Sequence, residues 1–453
     1  MILTEEFSLT EDTKICDELT GLPSEPIDSI VDPLKRFLHI ESTSGIVLLV
    51  ATIIALLLAN SPVAEDFLAL WKKMFGFRIG EFQMNYSFQH WINDFLMAVF
   101  FFVIGLEVKR ELVLGELRDI RHAALPIIGA IGGMLVPALI YFALQHGSPA
   151  ERGWGIPIAT DIAFVVGCLV VLGSRIPNNL RVMLLSLAIV DDIGAILVIA
   201  VGYTESLNLN ALVLGLLGIA CLLGLMKLGV RNVAVYLGVA LLIWFGFHES
   251  GIHATIAGVI VGLLTPTRAW ISEGRLRKIV NSGMCFLQGE GWSSSSERYA
   301  ALRRMERAAR KTISPIDRFE TYLHPWVGFV IMPVFALANA GVTIQVSDFT
   351  NPVVIAVIMG LFVGKPVGII LFSWVGVKSG LAKLPEGVNW SMITGGGFLA
   401  GIGFTMAIFI ANLALDGNLL SAAKIGILAG SVLSAVVGVI LLVLFQPKRE
   451  QVK

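Results

Sequence analysis

The chain consists largely of apolar runs of the length that crosses a lipid bilayer. Twelve such runs, judged in windows of roughly 20 residues, lie near 45–60, 89–106, 123–144, 155–172, 181–202, 209–226, 232–247, 252–265, 325–342, 352–377, 391–414 and 423–445. Only 15% of the 453 residues are charged, against roughly 25% in soluble proteins. This pattern predicts an all-α, polytopic membrane protein with twelve transmembrane helices.

Lysine and arginine are distributed unevenly between the two sets of loops. If the N-terminus is cytoplasmic, the inside segments hold 27 of the 33 basic residues, and the outside segments hold Lys72, Lys73, Arg78, Arg152 and Lys424. Loops rich in Lys and Arg usually lie on the cytoplasmic side of the membrane. We therefore expect a multi-pass protein of the cell (inner or plasma) membrane with both termini in the cytoplasm. The net charge of −1 gives no indication of a nucleic-acid partner.

The polar segments define the predicted domain organisation. An acidic cytoplasmic tail, residues 1–43, precedes the transmembrane domain of residues 44–447, and residues 448–453 form a short cytoplasmic tail. Within the domain, 266–322 is a long cytoplasmic loop, in which Glu297 to Ile313 is typical either of a basic amphipathic helix on anionic membrane lipid or of a solvated connector. Outside, residues 77–87 alternate apolar and polar side chains about Gly80, which predicts a short external β-hairpin.

Four titratable side chains lie inside the predicted spans. Asp191 and Asp192 have nine uncharged residues on either side, Lys365 has twelve, and Asp161 follows Thr160 in the fourth span. Each costs roughly 2.5–3.5 kcal/mol if ionised at a helix centre, so these groups must pair, be protonated or hold a cation. Asp161 alone is open to a structural reading, and Lys365 is open to pairing with Asp161 or Asp191 or to carrying a proton.

Two of the spans resemble each other. The fourth contains GIPIATDIAF (155–164) and the eleventh GIGFTMAIF (401–409), and spans 3–5 and 10–12 begin on opposite sides of the membrane. Similar blocks of opposite orientation with a Gly- or Pro-interrupted middle span predict inverted-topology repeats with broken helices 4 and 11. Asp161 suits the exposed N-terminal ends of such breaks, and Lys365 suits the C-terminal ends.

Seven segments of the chain together resemble the NhaA-type Na+/H+ antiporter family over the membrane core, from about 44 to 447. They are NDFLMAVFFFVIGLEVKREL from Asn93, GIPIATDIAF, LAIVDDIGAI at 187–196, SGIHATIAGVIVG at 250–262, LHPWVGFVIMPVFALANAGV at 323–342, GLFVGKPVGI at 360–369 and GIGFTMAIFIANLA at 401–414. The acidic tail and the long loop are expanded relative to the family.

The resemblance implies a role for each buried polar residue. Asp192 would be the principal ligand of the transported Na+, with Asp191 as its partner and proton carrier. Thr160 would join them at the cation, beside Asp161 at the crossing of the broken helices. Lys365 would stabilise that crossing.

The resemblance also implies a cytoplasmic funnel associated with pH activation, formed by Glu107, Glu111, Arg318, Glu320 and His324. An ordinary charged helix end is the alternative for the two glutamates near Lys109, which lie one turn apart. One family histidine position in the funnel is Thr321 here, so the pH set-point need not be shared. The family also dimerises through the external hairpin, which implies a homodimer through 77–87.

The resemblance implies electrogenic exchange of cytoplasmic Na+ or Li+ for external H+, without a cofactor, in pH homeostasis. The residues alone lead to the same mechanism, because an alkali cation binds carboxylates only after their protons leave, so the two compete. A symporter or organic-anion carrier on the same scaffold is the alternative. An enzyme is not expected, since HESGIH (248–253) spaces its histidines five apart rather than the four of H-E-x-x-H.

Overall fold

The structure is a computed structural model that describes residues 41–79, 82–173, 176–204, 207–230, 233–288 and 295–445. Most of the predicted N-terminal tail and the whole C-terminal tail lie outside these residues. Both tails therefore stay predictions.

Twelve apolar helical segments, one for each predicted span, lie in the described residues. Eight meet the length and hydropathy of a membrane span: α3 (Phe88–Val113), α4 (Ile120–Gln145), the segment Glu151–Leu172 that ends in α5 (Ile162–Leu172), α6 (Asn178–Gly202), α7 (Leu209–Lys227), α12 (Pro315–Asn339), α13 (Pro352–Lys378) and α16 (Gly417–Leu444). Two shorter apolar helices are α8 (Val233–Ser250) and α9 (Thr255–Leu264). Two bent pairs supply the rest: α1 (Glu41–Ala59) with α2 (Ala64–Lys72), and α14 (Trp390–Ala400) with α15 (Phe404–Ala414). The predicted polytopic α-helical fold is confirmed.

Both predicted helix breaks are present. The fourth span is a 3-10 helix over Glu151–Ile158, three non-helical residues at 159–161, and then α5. The eleventh span bends by 46° where residues 401–403 separate α14 from α15. The breaks leave helix ends exposed in the interior, where water is not available to satisfy them.

The first helices of the two repeats cross at a pair of glycines. A Cβ placed on Gly132 of α4 would lie 2.3 Å from the carbonyl oxygen of Gly368 in α13, and one on Gly368 would lie 2.1 Å from the carbonyl oxygen of Gly132. No side chain fits between backbones this close, and small residues let membrane helices approach in this way. The glycines thus set the contact between the repeats.

Helix α13 changes partner along its length. Its first part, Pro352–Ile358, packs mainly against α16, and its last part, Lys365–Lys378, packs mainly against α4. A π-helical turn over Met359–Gly364 separates the two parts. Similar π turns interrupt α3 at Ile92–Leu96 and α12 at Val327–Ile331.

The predicted β-hairpin is confirmed and begins earlier than expected. Strand β1 (Met74–Ile79) pairs antiparallel with β2 (Phe82–Ser87), with Met74 opposite Ser87. The sequence pattern placed its start at 77. The earlier residues are drawn into the ladder because the indole of Trp91, in α3, donates a hydrogen bond to the carbonyl of Phe75 at 2.9 Å. The turn at 80–81 lies outside the described residues.

The polar loop contains two helices of its own, α10 (Glu273–Gln288) and α11 (Ser295–Thr312). The second covers most of the predicted amphipathic segment. Helix α12 begins at Pro315, so residues 315–322 belong to a helix rather than to the loop; the Ser314 hydroxyl caps it by accepting from the amide of Asp317 at 3.2 Å. Lys424, assigned to an outside loop from the sequence, is buried within α16.

Candidate cation and proton site

The two broken spans cross each other through their breaks. The amide of Asp161 donates to the carbonyl oxygen of Ile402 at 2.7 Å, and the Thr160 hydroxyl donates to that of Ala400 at 3.0 Å. The backbones meet so closely that a Cβ on Gly403 would lie 2.9 Å from the oxygen of Ala159. The unwound residues of each span therefore supply the hydrogen bonds that the other lacks.

Asp161 lies between two helix N-termini. Its carboxylate accepts from the amide of Phe164, in the first turn of α5, at 3.4 Å. It also accepts from the amide of Thr405, in the first turn of α15, at 3.0 Å, and from the hydroxyl of the same threonine. One negative charge thus faces the positive ends of two helix dipoles, which is the arrangement that favours a carboxylate.

Lys365 places its ammonium at the C-terminal end of the 3-10 helix, where the dipole favours a positive charge. It directly follows the π turn of α13, and its ammonium donates to the carbonyl oxygen of Ile158, the last residue of the 3-10 helix. The ammonium also pairs with Asp191 at 2.9 Å, and both side chains are fully buried. Of the two aspartates considered from the sequence, Lys365 is paired with Asp191, and the described residues show no ion pair between Lys365 and Asp161 within 4.0 Å.

Asp191 and Asp192 lie side by side in the middle of α6, with exposures of 0% and 2%. The Oδ2 atom of Asp191 lies 2.6 Å from the Thr160 hydroxyl, so the single proton of this hydroxyl is shared between Asp191 and the carbonyl oxygen of Ala400. The Oδ1 atoms of both aspartates are buried without a hydrogen-bond partner among the described residues. Because a buried polar atom without a partner is costly, this pair of oxygens suits a small cation or a proton, which would satisfy them.

The structure joins the predicted funnel residues only in part. Glu107 lies on α3, close enough to α6 for a charge on it to disfavour a charge on Asp192. Glu111 instead accepts from the backbone amide of Glu116 at 2.9 Å. Glu320 pairs with Arg110 at 2.7 Å, which links α12 to α3.

The other two funnel residues lie on α12 with Glu320. Arg318 is half-buried and His324 is exposed. The described contacts join neither side chain to the aspartates of α6. Thr321, at the position of a family histidine, bonds to the carbonyl of Asp317 at 2.7 Å.

Thr405 is a site residue that sequence reasoning missed. Its hydroxyl and its amide both bond to Asp161. The internal similarity of the two broken spans already aligned it with Thr160, because one threonine lies within the interruption of its span and the other lies in the first turn after it. Selecting the threonine of both repeats as a candidate, rather than only the one next to an aspartate, would have identified Thr405.

Two inverted repeats that cross at broken helices, with buried charges at the crossing, define the inverted-repeat class of membrane secondary transporters. Comparison with known proteins gives the family. The profile of the family described as Na+/H+ antiporter 1 matches residues 35–442. This chain belongs to that family.

Named relatives are similar over nearly their whole length. The Na(+)/H(+) antiporter NhaA of Rhodopirellula baltica is 52% identical over 94% of this chain and 97% of its own length. Na(+)/H(+) antiporter NhaA 1 of Acidiphilium cryptum is 51% identical over 95% of this chain and 96% of its own length. The Na(+)/H(+) antiporter NhaA of Rhizobium meliloti is 51% identical over 94% of this chain and 98% of its own length.

Proposed function

We propose that the protein exchanges cytoplasmic Na+ or Li+ for external H+ across the cell membrane, through competition of cation and protons for Asp191 and Asp192. The observation that carries the proposal is the pair of buried, unpartnered Oδ1 atoms on these aspartates. Family membership supports the exchange of Na+ and H+. The residues of the site supply the mechanism.

The cation would bind at the buried oxygens of α6. Asp192 is proposed as its principal ligand, with Asp191 and Thr160 beside it, because carboxylate and hydroxyl oxygens are the hard ligands that small cations prefer. Binding requires that the carboxylates give up their protons. When the cation is released on the other side of the membrane, protons bind to the carboxylates again. Each transport cycle therefore exchanges the cation for protons.

Lys365 gives the exchange its charge balance in this proposal. With the lysine paired to Asp191, the cluster holds more than one group that can gain or lose a proton. Loading a single Na+ can then displace two protons, which makes the exchange electrogenic. Each net charge moved gains about 2.3 kcal/mol per 100 mV of membrane potential, so the potential helps to expel Na+.

Asp161 and Thr405 are proposed to hold the crossing rather than to bind the ion. All the donors that reach Asp161 come from the two helix N-termini. Its charge therefore neutralises helix dipoles and does not need a cation. Glu107 is proposed to act on the site from the cytoplasmic side, through its repulsion of Asp192.

The exchange is tested in inverted membrane vesicles with a pH-sensitive dye. Respiration acidifies the vesicle interior, and Na+ or Li+ added outside should dissipate the gradient in the parent protein. Asp192→Asn should abolish this response. Asp66→Asn, the same change on the exposed face of α2, is the matched control and should keep it.

Two outcomes would overturn the proposal at different points. An unchanged Na+ response in Asp192→Asn would remove the ion site from α6. A parent protein that ignores Na+ and Li+ but moves protons with an organic anion would favour the symporter or anion carrier. For electrogenicity, clamping the potential at zero with valinomycin and K+ removes the interior-positive potential that drives net positive charge out of the vesicle. The clamp should therefore slow the exchange, and an unchanged rate would contradict the unequal ratio.

We also propose that the protein forms a homodimer through its external hairpin, in a membrane that leaves both termini in the cytoplasm. The hairpin exposes large apolar side chains, Met74 at 62% and Phe75 at 57%. Exposed apolar patches mark contact sites. Phe75→Asp should shift the detergent-solubilised protein from dimer to monomer in light scattering, and a monomeric parent would contradict the proposal.

A further inference from the structure

A second cluster of metal-ligating side chains lies where the hairpin meets the membrane helices. It combines Tyr86 at the end of β2, His90 and Asp94 in the first turns of α3, and His248 near the end of α8. None of these residues belongs to the acid cluster, a name we use for the buried carboxylates Asp161, Asp191 and Asp192. The two clusters are therefore separate sites.

Three ligand atoms converge in this cluster. The Oδ2 atom of Asp94 lies 3.1 Å from Nδ1 of His248 and 3.5 Å from Nε2 of His90. All three atoms lie within 4.8 Å of one another. The Nε2 atom of His90 is also buried without a hydrogen-bond partner among the described residues.

Two of the three separations, those from Asp94 to the histidines, match a tetrahedral metal centre. Bonds of about 2.0–2.1 Å from Zn2+ to nitrogen and oxygen give edges of about 3.3 Å between neighbouring ligands. The two measured edges lie on either side of this value. Two imidazoles and one carboxylate also form a common ligand set of Zn2+ sites that keep a fourth position open for water.

The side chains around His248 hold its ring in the required orientation. With Nδ1 facing Asp94, its Nε2 atom lies 3.1 Å from the Tyr86 hydroxyl, to which it can donate. Trp244 stacks on the same ring at 5.4 Å between centroids and 14° between planes. Such outer partners fix the tautomer of a metal-bound histidine.

The cluster is negatively charged and open to water. The carboxylates of Asp94 and Glu249 both act on the side chains of the cluster. The same carboxylates attract a cation. The side chains of His90 and Asp94 are 41% and 25% exposed, so the cluster lies near the surface, and a rotation of the His90 ring would open its buried Nε2 atom to an arriving ion.

We propose that His90, Asp94 and His248 form a binding site for a divalent transition-metal ion of the Zn2+ type, with Tyr86 orienting His248. Occupancy would tie the start of α3 to the end of α8 beside the hairpin. The site prefers Zn2+ to Mg2+, because imidazole nitrogen suits borderline transition metals and Mg2+ prefers oxygen ligands.

The test is a Zn2+ titration of the tag-free, full-length protein in detergent, in competition with a fluorescent chelator. We expect one tight equivalent in the parent and none with Mg2+. His90→Gln and His248→Gln should each weaken Zn2+ binding at least tenfold. Tyr86→Phe should weaken it about tenfold, the usual effect of losing an outer partner.

Matched controls place the effect at this cluster. His146→Gln changes another histidine beside a carboxylate, 3.5 Å from Glu151, for which the described residues offer no third ligand; it should bind Zn2+ like the parent. Asp192→Asn should also keep the tight equivalent, which separates the site from the acid cluster. Melting temperatures without metal report whether each variant is folded.

The proposal fails if His90→Gln binds Zn2+ as tightly as the parent. It also fails if His146→Gln or Asp192→Asn removes the tight equivalent, since the metal would then lie elsewhere. If His248→Gln does not fold, the decision rests on His90→Gln, whose side chain is the more exposed.

Discussion

The buried pair of Lys365 and Asp191 makes a strong prediction for stability. Neither side chain is exposed, and their charged atoms are 2.9 Å apart. Removing one partner of a buried ion pair leaves an uncompensated charge and costs about 3–5 kcal/mol. Lys365→Met and Asp191→Asn should therefore each lower the free energy of unfolding by about this amount.

The double variant should be more stable than the sum of the single variants implies. With both charges gone, the main loss that persists is the hydrogen bond from the ammonium to the carbonyl of Ile158, about 1.5–3 kcal/mol for a charged donor. Additive losses would amount to about 6–10 kcal/mol from the same single-variant costs. The expected coupling energy is thus several kcal/mol.

Chemical denaturation in detergent micelles, followed by tryptophan fluorescence, measures all four free energies of the cycle. Lys424→Met is the matched control. This second buried lysine, 7% exposed, has no ion pair with any described residue, so its replacement should be neutral or stabilising. A double variant that loses the full sum of the single losses would refute the coupling of Lys365 to Asp191.

Three further predictions concern packing and hydrogen bonding, each measured by the same denaturation assay. Thr405→Val should cost about 1–3 kcal/mol, because it removes the hydroxyl bonded to Asp161; equal stability would contradict that bond. Gly368→Ala should destabilise the protein, because a Cβ at this position would collide with the backbone of Gly132. Gly224→Ala has open space around it and should stabilise the protein by up to about 1 kcal/mol. Effects of the same sign in the two variants would refute this packing. Glu320→Gln should change stability by less than about 1 kcal/mol, since its ion pair is partly exposed, and a larger loss would mean a stronger link.

Much of the fold could be predicted because membrane-length apolar runs leave few choices of structure. Each of the twelve runs corresponds to a helical segment, and both breaks lie where Gly or Pro interrupts a run. The start of α12 was missed because RFETYLHPW is too polar for a hydropathy window. The Ser314–Pro315 pair that begins the helix is nevertheless a typical start pattern.

The partners within the site could not be predicted, because they depend on how distant helices pack. The sequence left Lys365 open between Asp161 and Asp191, and only the packing of α13 against the broken fourth span selects Asp191. Likewise, Thr405 lies 244 residues from the carboxylate that it binds. Composition and spacing identify such residues as polar and buried, but the contact between them is a property of the assembled repeats.

The π turn of α13 explains how one helix can pack against α16 with its first part and against α4 with its last part. An additional residue in a single turn rotates everything after it by about 100° relative to a regular helix, so the face that follows Gly364 points elsewhere than the face that precedes Met359. Lys365 is the first residue after this rotation. A one-residue deletion within the turn would carry the ammonium about a quarter of a revolution away from α6 while leaving the composition of the span almost intact. The position of the charge is thus encoded by the length of the helix as much as by the lysine itself.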